Sequence, residues 1–268
     1  MYLCYKRTTA WTLTLGNFTF MHVIAVIPAR YASSRFPGKL LANETGQSLL
    51  EHVYRQVSRC KRVDEVMIAT DDDRIFTECQ KFGAKVVMTR VDHTCGTDRI
   101  AEAISGYDVD LVVNVQGDEP EISPDAIDKL VEIMEADAGA QMGTLASCFA
   151  EGDSVDNKNV VKVVQSLSGR ALYFSRSVVP FHRNDGEGSA TPLYYKHIGL
   201  YAYRKPVLLA LSKMAPTPLE QGERLEQLRA LENDISIAVG MIDHGAEGID
   251  TPEQYKAFVE RFNIRLKA

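Results

Sequence analysis

The chain has 268 residues, 45% hydrophobic and 25% charged, with 30 Lys+Arg against 36 Asp+Glu and a net charge of −6. These proportions exclude collagen-like, low-complexity and intrinsically disordered chains. The acid excess argues against a general nucleic-acid binder, whose surface carries a basic surplus, but leaves room for a local cationic site.

The five cysteines (Cys4, Cys60, Cys79, Cys95, Cys148) are odd in number and far apart, with no metal-type spacing. They read as reduced thiols of a cytoplasmic protein. No run approaches the roughly 18 apolar residues of a membrane span, so no membrane insertion is expected.

Residues 1–20 carry two cations and no acid, and lack the unbroken apolar stretch of a signal peptide. They read as an extension outside the domain, which then runs from 21 to 268. Without them the balance is 28 basic to 36 acidic residues, a net of −8.

From Met21 onward, apolar runs alternate with helical periodicity, as in βαβ units around a parallel sheet. Val23–Ile27 is apolar throughout, the mark of a strand covered on both faces. Leu49, Leu50, Val53 and Val57 stripe a helix, Val66–Ala69 is the next strand, and Ile75, Phe76, Cys79 and Phe82 stripe the next helix. Val86–Met88 is a third strand, followed by a helix on Ile100, Ala101 and Ile104. Leu111–Val115 is the central strand and runs into Gln116-Gly117-Asp118-Glu119-Pro120.

Ser123-Pro124 predicts a capped helix carrying Ile127, Leu130, Val131 and Met134. Between Met142 and Tyr203 the texture turns β-rich, with strands predicted at Leu145–Phe149, Val160–Val164, Ala171–Phe174 and Tyr194–Tyr203. Asn184–Ala190 reads as a loop. Thr217-Pro218-Leu219-Glu220 and Thr251-Pro252-Glu253-Gln254 have capping-box spacing. The expected fold is α/β: one Rossmann-like, mostly parallel sheet with a smaller β-rich lobe at about residues 142–203.

Chemistry concentrates at strand ends. Arg30, Arg35 and Lys39 place three cations in ten residues after the first strand, with no acid among them. At the carboxyl end of a strand such a loop suits a polyphosphate, although it is neither a Walker loop nor a GxGxxG turn. A solvated basic loop is the plain alternative. Asp118, beside Gly117, and Asp250, before a capped helix, are candidate Mg²⁺ ligands. The ordinary alternatives are a turn aspartate and a helix-terminal acid. Arg176, His197, Tyr201, Glu226 and Gln227 offer a cation and neutral hydrogen-bonding groups suited to a hydroxylated carboxylate. Taken singly, His197 and Glu226 are more often structural.

The segments Pro28-Ala29-Arg30, Ser34–Lys39, Gln116–Pro120, Tyr173–Arg176, Lys196–Arg204, Leu225–Glu232 and Asp250–Gln254 resemble the sugar-activating cytidylyltransferases. Within these they resemble the 3-deoxy-manno-octulosonate (KDO) branch from Met21 almost to the C-terminus. The resemblance implies a nucleotide-diphosphosugar transferase fold and Mg²⁺-dependent transfer of CMP from CTP to KDO, for lipopolysaccharide synthesis. It implies that Ala29, Arg30, Arg35, Lys39, Thr97, Arg99 and Gln116 bind the nucleotide. Arg30, Lys39, Asp118 and Asp250 would be catalytic, and Asp118 and Asp250 the metal ligands. Arg176, His197, Tyr201, Glu226 and Gln227 would bind the sugar acid. A homodimer through the β-rich lobe is also implied. Phe36, Leu40, Cys95 and Asp98 depart from the usual pattern on the nucleotide side, and Phe36 and Asp98 match a branch that uses 8-amino-KDO. The alternatives are therefore another sugar acid, or a non-catalytic sugar-nucleotide binder on the same fold.

Overall fold

The computed structural model describes residues 21–150, 152–183 and 194–267. The readings of residues 1–20 as an extension and of Asn184–Ala190 as a loop lie outside the described residues.

The first half winds as expected: β1 (Val23–Ala29), α1 (Leu49–Val57), β2 (Glu65–Thr70), α2 (Asp73–Lys81), β3 (Lys85–Met88), α3 (Gly96–Ala103), β4 (Leu111–Asn114) and α4 (Pro124–Ala136). The strands pair in parallel, β1 lying between β2 and β4. There follow β5 (Met142–Cys148), β6 (Lys162–Gln165), β7 (Ala171–Ser175), β8 (Tyr195–Arg204), α5 (Lys205–Leu211), α6 (Pro218–Glu223), α7 (Gln227–Glu232), β9 (Ile237–Met241) and α8 (Pro252–Lys267). The sheet order is β3-β2-β1-β4-β8-β5-β9, and β8 runs antiparallel to both neighbours.

Strand β1 shows why the sheet is covered on both faces. Val23, Ala25, Ile27 and Ala29 pack with Leu49, Ile127 and Phe258 on one side, while Ile24 and Val26 pack with Ile100, Leu208 and Leu228 on the other. Each fully buried Val, Leu or Ile stabilises the fold by roughly 1.5–3 kcal/mol.

Caps mark the helix starts, at Thr217 and Thr251 where the sequence placed them and at Ser48 besides. Ser48 Oγ accepts from Glu51 N at 3.3 Å at the start of α1. Glu220 accepts from Thr217 N at 3.1 Å at α6, and Gln254 accepts from Thr251 N at 3.0 Å at α8. Ser123 occupies the N-cap of α4, but its hydroxyl makes no cap bond.

The stretch 142–203 divides rather than forming one separate unit. Strands β5 and β8 are built into the main sheet, and the β6–β7 pair departs from it, touching β8 at Tyr195 and Lys196. Alternating apolar and polar residues describe a strand in a side lobe and a strand in a main sheet equally well, so pattern alone does not separate them. Cys60, Cys79 and Cys95 are free thiols as expected, whereas Cys148 is disulfide-bonded and departs from that reading.

Candidate active site

Strand order reverses between β1 and β4, because β2 and β3 lie to one side of β1 and β4 to the other. In open α/β sheets the ligand crevice lies beyond the carboxyl ends of the strands at such a switch point. Ala29 and Arg30 end β1 there, and Gln116-Gly117-Asp118 follow β4.

Two glycines shape the crevice. Gly38 has φ +70°, and a Cβ on it would meet the Tyr31 ring at 3.0–3.1 Å. Its N–H donates to Tyr31 O at 3.1 Å, closing the basic loop and turning Lys39 inward. A Cβ on Gly117 would lie 3.2 Å from Pro28 O, so a side chain there would push the segment after β4 away from the end of β1 by a few tenths of an ångström.

Lys39, the first residue of a 3-10 turn over Lys39–Leu41, is only 9% exposed. Its Nζ donates to Asp118 Oδ2 at 2.6 Å, to Ile249 O at 2.7 Å and to Asp250 Oδ1 at 3.1 Å. Arg35 pairs with the other oxygen, Asp250 Oδ2, at 2.9 Å. Two acids 132 positions apart in the sequence thus face one cation. Asp250 is held there by Gln254 Oε1, which accepts its N–H at 2.8 Å. Asp118 is tied to the same loop through Ile249 N, which donates to Asp118 O at 2.8 Å. Next to it, burial and then Asp118 push the Glu119 carboxyl up to about 8.

The donor set is all oxygen, and a cation already sits among it. No group of three or more His, Cys, Asp or Glu side chains able to hold a metal is present among the described residues. A carboxylate pair of this kind suits Mg²⁺, which keeps waters and shares substrate phosphates instead of needing a full protein cage.

A cavity of about 210 Å³ lies at the end of the same strand β4, lined by Gln116, two residues before Asp118, and by Thr97, Tyr201, Glu226 and Gln227 together with Asn114 and Tyr203. The first five come from four separate stretches of the chain. Glu226 Oε1, Gln227 Nε2 and Asn114 Oδ1 are buried there without a hydrogen-bond partner. An unpartnered buried polar atom costs about 1–3 kcal/mol, so three in one cavity mark a place where a ligand supplies the partners. Asn114 and Tyr203 were missed in the sequence. The available signal was one amide inside the otherwise apolar run Leu111–Val115. Burial holds the Tyr203 hydroxyl well above its usual range, so it stays protonated.

His197 sits beside the cavity, its ring centroid 5.4 Å from that of Tyr201 and 5.0 Å from that of Phe174. A bulge between β5 and β8 brings Thr144 Oγ1 within 3.0 Å of His197 Nε2 and within hydrogen-bond distance of Ile198 O and Leu200 O. Burial lowers the imidazole to about 3, so His197 is neutral at ordinary pH.

Three arginines among the sequence candidates belong neither to the cavity lining nor to the Lys39 cluster. Arg99 is 0% exposed, donating to Thr89 Oγ1 at 2.5 Å and Asp71 Oδ2 at 2.6 Å. It braces the loop after β2. Arg176 donates to Glu223 O at 2.9 Å and Lys158 O at 3.1 Å, joining the end of β7 to α6 and the loop before β6. Arg30 reaches Thr94 O at 3.4 Å through Nη1 and keeps a buried Nη2 without a partner.

Residues 24–237 match the family described as cytidylyltransferase. A 3-deoxy-manno-octulosonate cytidylyltransferase from Geobacter sulfurreducens is 46% identical over 248 residues, 90% of this chain and 99% of that protein. The protein of the same name from Myxococcus xanthus is 49% identical over 231 residues, 85% of this chain and 92% of its own. A solved structure of a CMP:2-keto-3-deoxy-manno-octonic acid synthetase in complex with CTP is 38% identical and superposes with a TM-score of 0.86. It covers 91% of this chain and 99% of its own.

Proposed function

This chain belongs to the cytidylyltransferase family, and we propose that it transfers CMP from CTP to KDO, releasing pyrophosphate. The observation that carries the reading is the conjunction at one switch point of a cation-bridged acid pair and a cavity with three unpartnered polar atoms.

In this reading Arg30, Arg35 and Lys39 bind the CTP phosphates, and Ala29, Thr97 and Gln116 enclose the cytidine. Arg99 supports that side from behind, through Asp71. Glu226, Gln227, Tyr201 and the neutral His197 meet the hydroxyls of the sugar acid, and Arg176, committed to Glu223 O and Lys158 O, supports that side from outside the cavity. Asp118 and Asp250 would hold Mg²⁺, which when bound supplies charge neutralisation at phosphate and acidifies a nearby hydroxyl. The anomeric oxygen forms its bond to the α-phosphorus as the bond to pyrophosphate breaks, and the hydroxyl proton passes to solvent water. Lys39 and Arg30 stabilise the charge developing on the leaving group.

A direct displacement fits the thiol chemistry. Cys95, next to cavity-lining Gly96, is pushed up to about 12 by burial and then by Glu226, which leaves no thiolate for a covalent route. Leu167, Leu172 and Phe181, all strongly exposed on or near the β6–β7 pair, support a homodimer through that region.

The test is pyrophosphate release from CTP and Mg²⁺ with KDO, 8-amino-KDO and other sugar acids offered in parallel. Release with KDO is the expected result. Release with 8-amino-KDO alone would reassign the sugar, and nucleotide binding with no release under any sugar would overturn the reaction.

A further inference from the structure

The partners of Lys39 have a consequence for how metal reaches the site. Its ammonium has three protons and three acceptors, two of them the carboxylates proposed to hold Mg²⁺ and the third a backbone carbonyl. The remaining oxygen of Asp250 is taken by Arg35. In the nucleotide-free chain the position between the acids is therefore filled by a tethered cation that is largely shielded from water. A divalent ion arriving alone must displace that ammonium while nothing else accepts its protons, and must do so against like-charge repulsion.

Resting on the reading above, we infer that Lys39 keeps free divalent cation out of the acid pair. The substrate that opens the site is the metal–CTP chelate. Its phosphate oxygens offer Lys39 and Arg35 new acceptors at the moment the metal claims the carboxylates. The loop that carries Lys39 is short and closed by the Gly38–Tyr31 bond, so the lysine exchanges partners by side-chain rotation and needs no loop movement. The device also excludes a metal-loaded protein without nucleotide.

Mn²⁺ binding followed by electron paramagnetic resonance and water-proton relaxation tests this without turnover. The nucleotide-free protein is expected to bind Mn²⁺ weakly. Lys39→Met should bind it at least tenfold more tightly, and adding Asp118→Asn to that variant should abolish the gain. Lys39→Gln, which keeps a donor for Asp118 but no charge, guards against misfolding of the first variant and should show the same direction. With CTP present, Mn²⁺ should become protein-bound in the unsubstituted chain as well. Equal affinity for free Mn²⁺ with and without Lys39 would overturn the inference and leave the reaction untouched. Failure of the unsubstituted protein to take up Mn²⁺ even with CTP would overturn the metal reading itself, and the inference with it.

Discussion

Gly117→Ala is the smallest change that should separate the two strand ends forming the site. The added methyl would lie 3.2 Å from Pro28 O, 3.5 Å from Ile27 Cγ2 and 3.7 Å from Leu40 Cδ1. The nearest of these is backbone in β1, held by β2 at this residue, and cannot rotate away, so the segment carrying Asp118 must shift by a few tenths of an ångström. Overpacking of this kind costs about 1–3 kcal/mol, partly offset by about 0.4–1 kcal/mol from the lost flexibility of glycine in the unfolded chain. The net expectation is about 1–2 kcal/mol of destabilisation. For a chain of this size that is a drop in Tm of roughly 2–8 °C. Turnover should fall several-fold, because Asp118 meets Lys39 at 2.6 Å and the shift is a few tenths of the ångström that costs about 100-fold in rate. Thermal unfolding and pyrophosphate release on the same preparation measure both. Gly106→Ala, where a Cβ would meet nothing within 4 Å, is the control and should be neutral. A Gly117→Ala protein with turnover within twofold of the parent would refute the argument that close approach at this glycine positions the acid.

Asp118→Asn and Asp250→Asn should each lose orders of magnitude in turnover while circular dichroism stays unchanged; near-normal activity in either removes that residue from the metal assignment. Arg99→Met should cost about 3 kcal/mol by leaving Asp71 uncompensated, seen as a Tm drop of roughly 6–12 °C. Adding Asp71→Asn should recover part of that loss, and an additive further drop would contradict the pairing. His197 has a folded value of about 3, below its ordinary value of 6.5, so its neutral form is the one the fold stabilises. That contribution is present above about pH 6.5 and is lost as pH falls toward 3. His197→Gln should therefore flatten the acid limb of a stability–pH curve measured by denaturant unfolding, and an unchanged limb would exclude His197 as its source.

Much of the parallel half was legible because its signals are local. The run Val23–Ile27, the stripe on α1 and the caps at Thr217 and Thr251 each state their element within a few residues. The strands between 142 and 203 were legible as strands but not by their place in the sheet. Whether an alternating strand pairs with β4 or leaves the sheet is decided by partners far away in the chain. The same limit explains Arg99. A cation beside a nucleotide motif reads as a ligand contact, yet its two terminal nitrogens are taken by Thr89 and Asp71, residues that pattern cannot assign to it, and only its buried Nε lacks a partner.

By itself the sequence determined where the chemistry stands: three cations after β1, an acid after β4, an acid before α8, and a family resemblance carried by motifs in order. These follow from residue type and strand-end position, which are properties of short segments. Only the tertiary structure decided that Lys39 bridges Asp118 and Asp250, and that Asn114 and Tyr203 join Glu226 and Gln227 around one cavity. Hydrogen bonds and ion pairs act over about 3 Å. Residues 79 and 211 positions from Lys39 reach that range only because strand order reverses between β1 and β4.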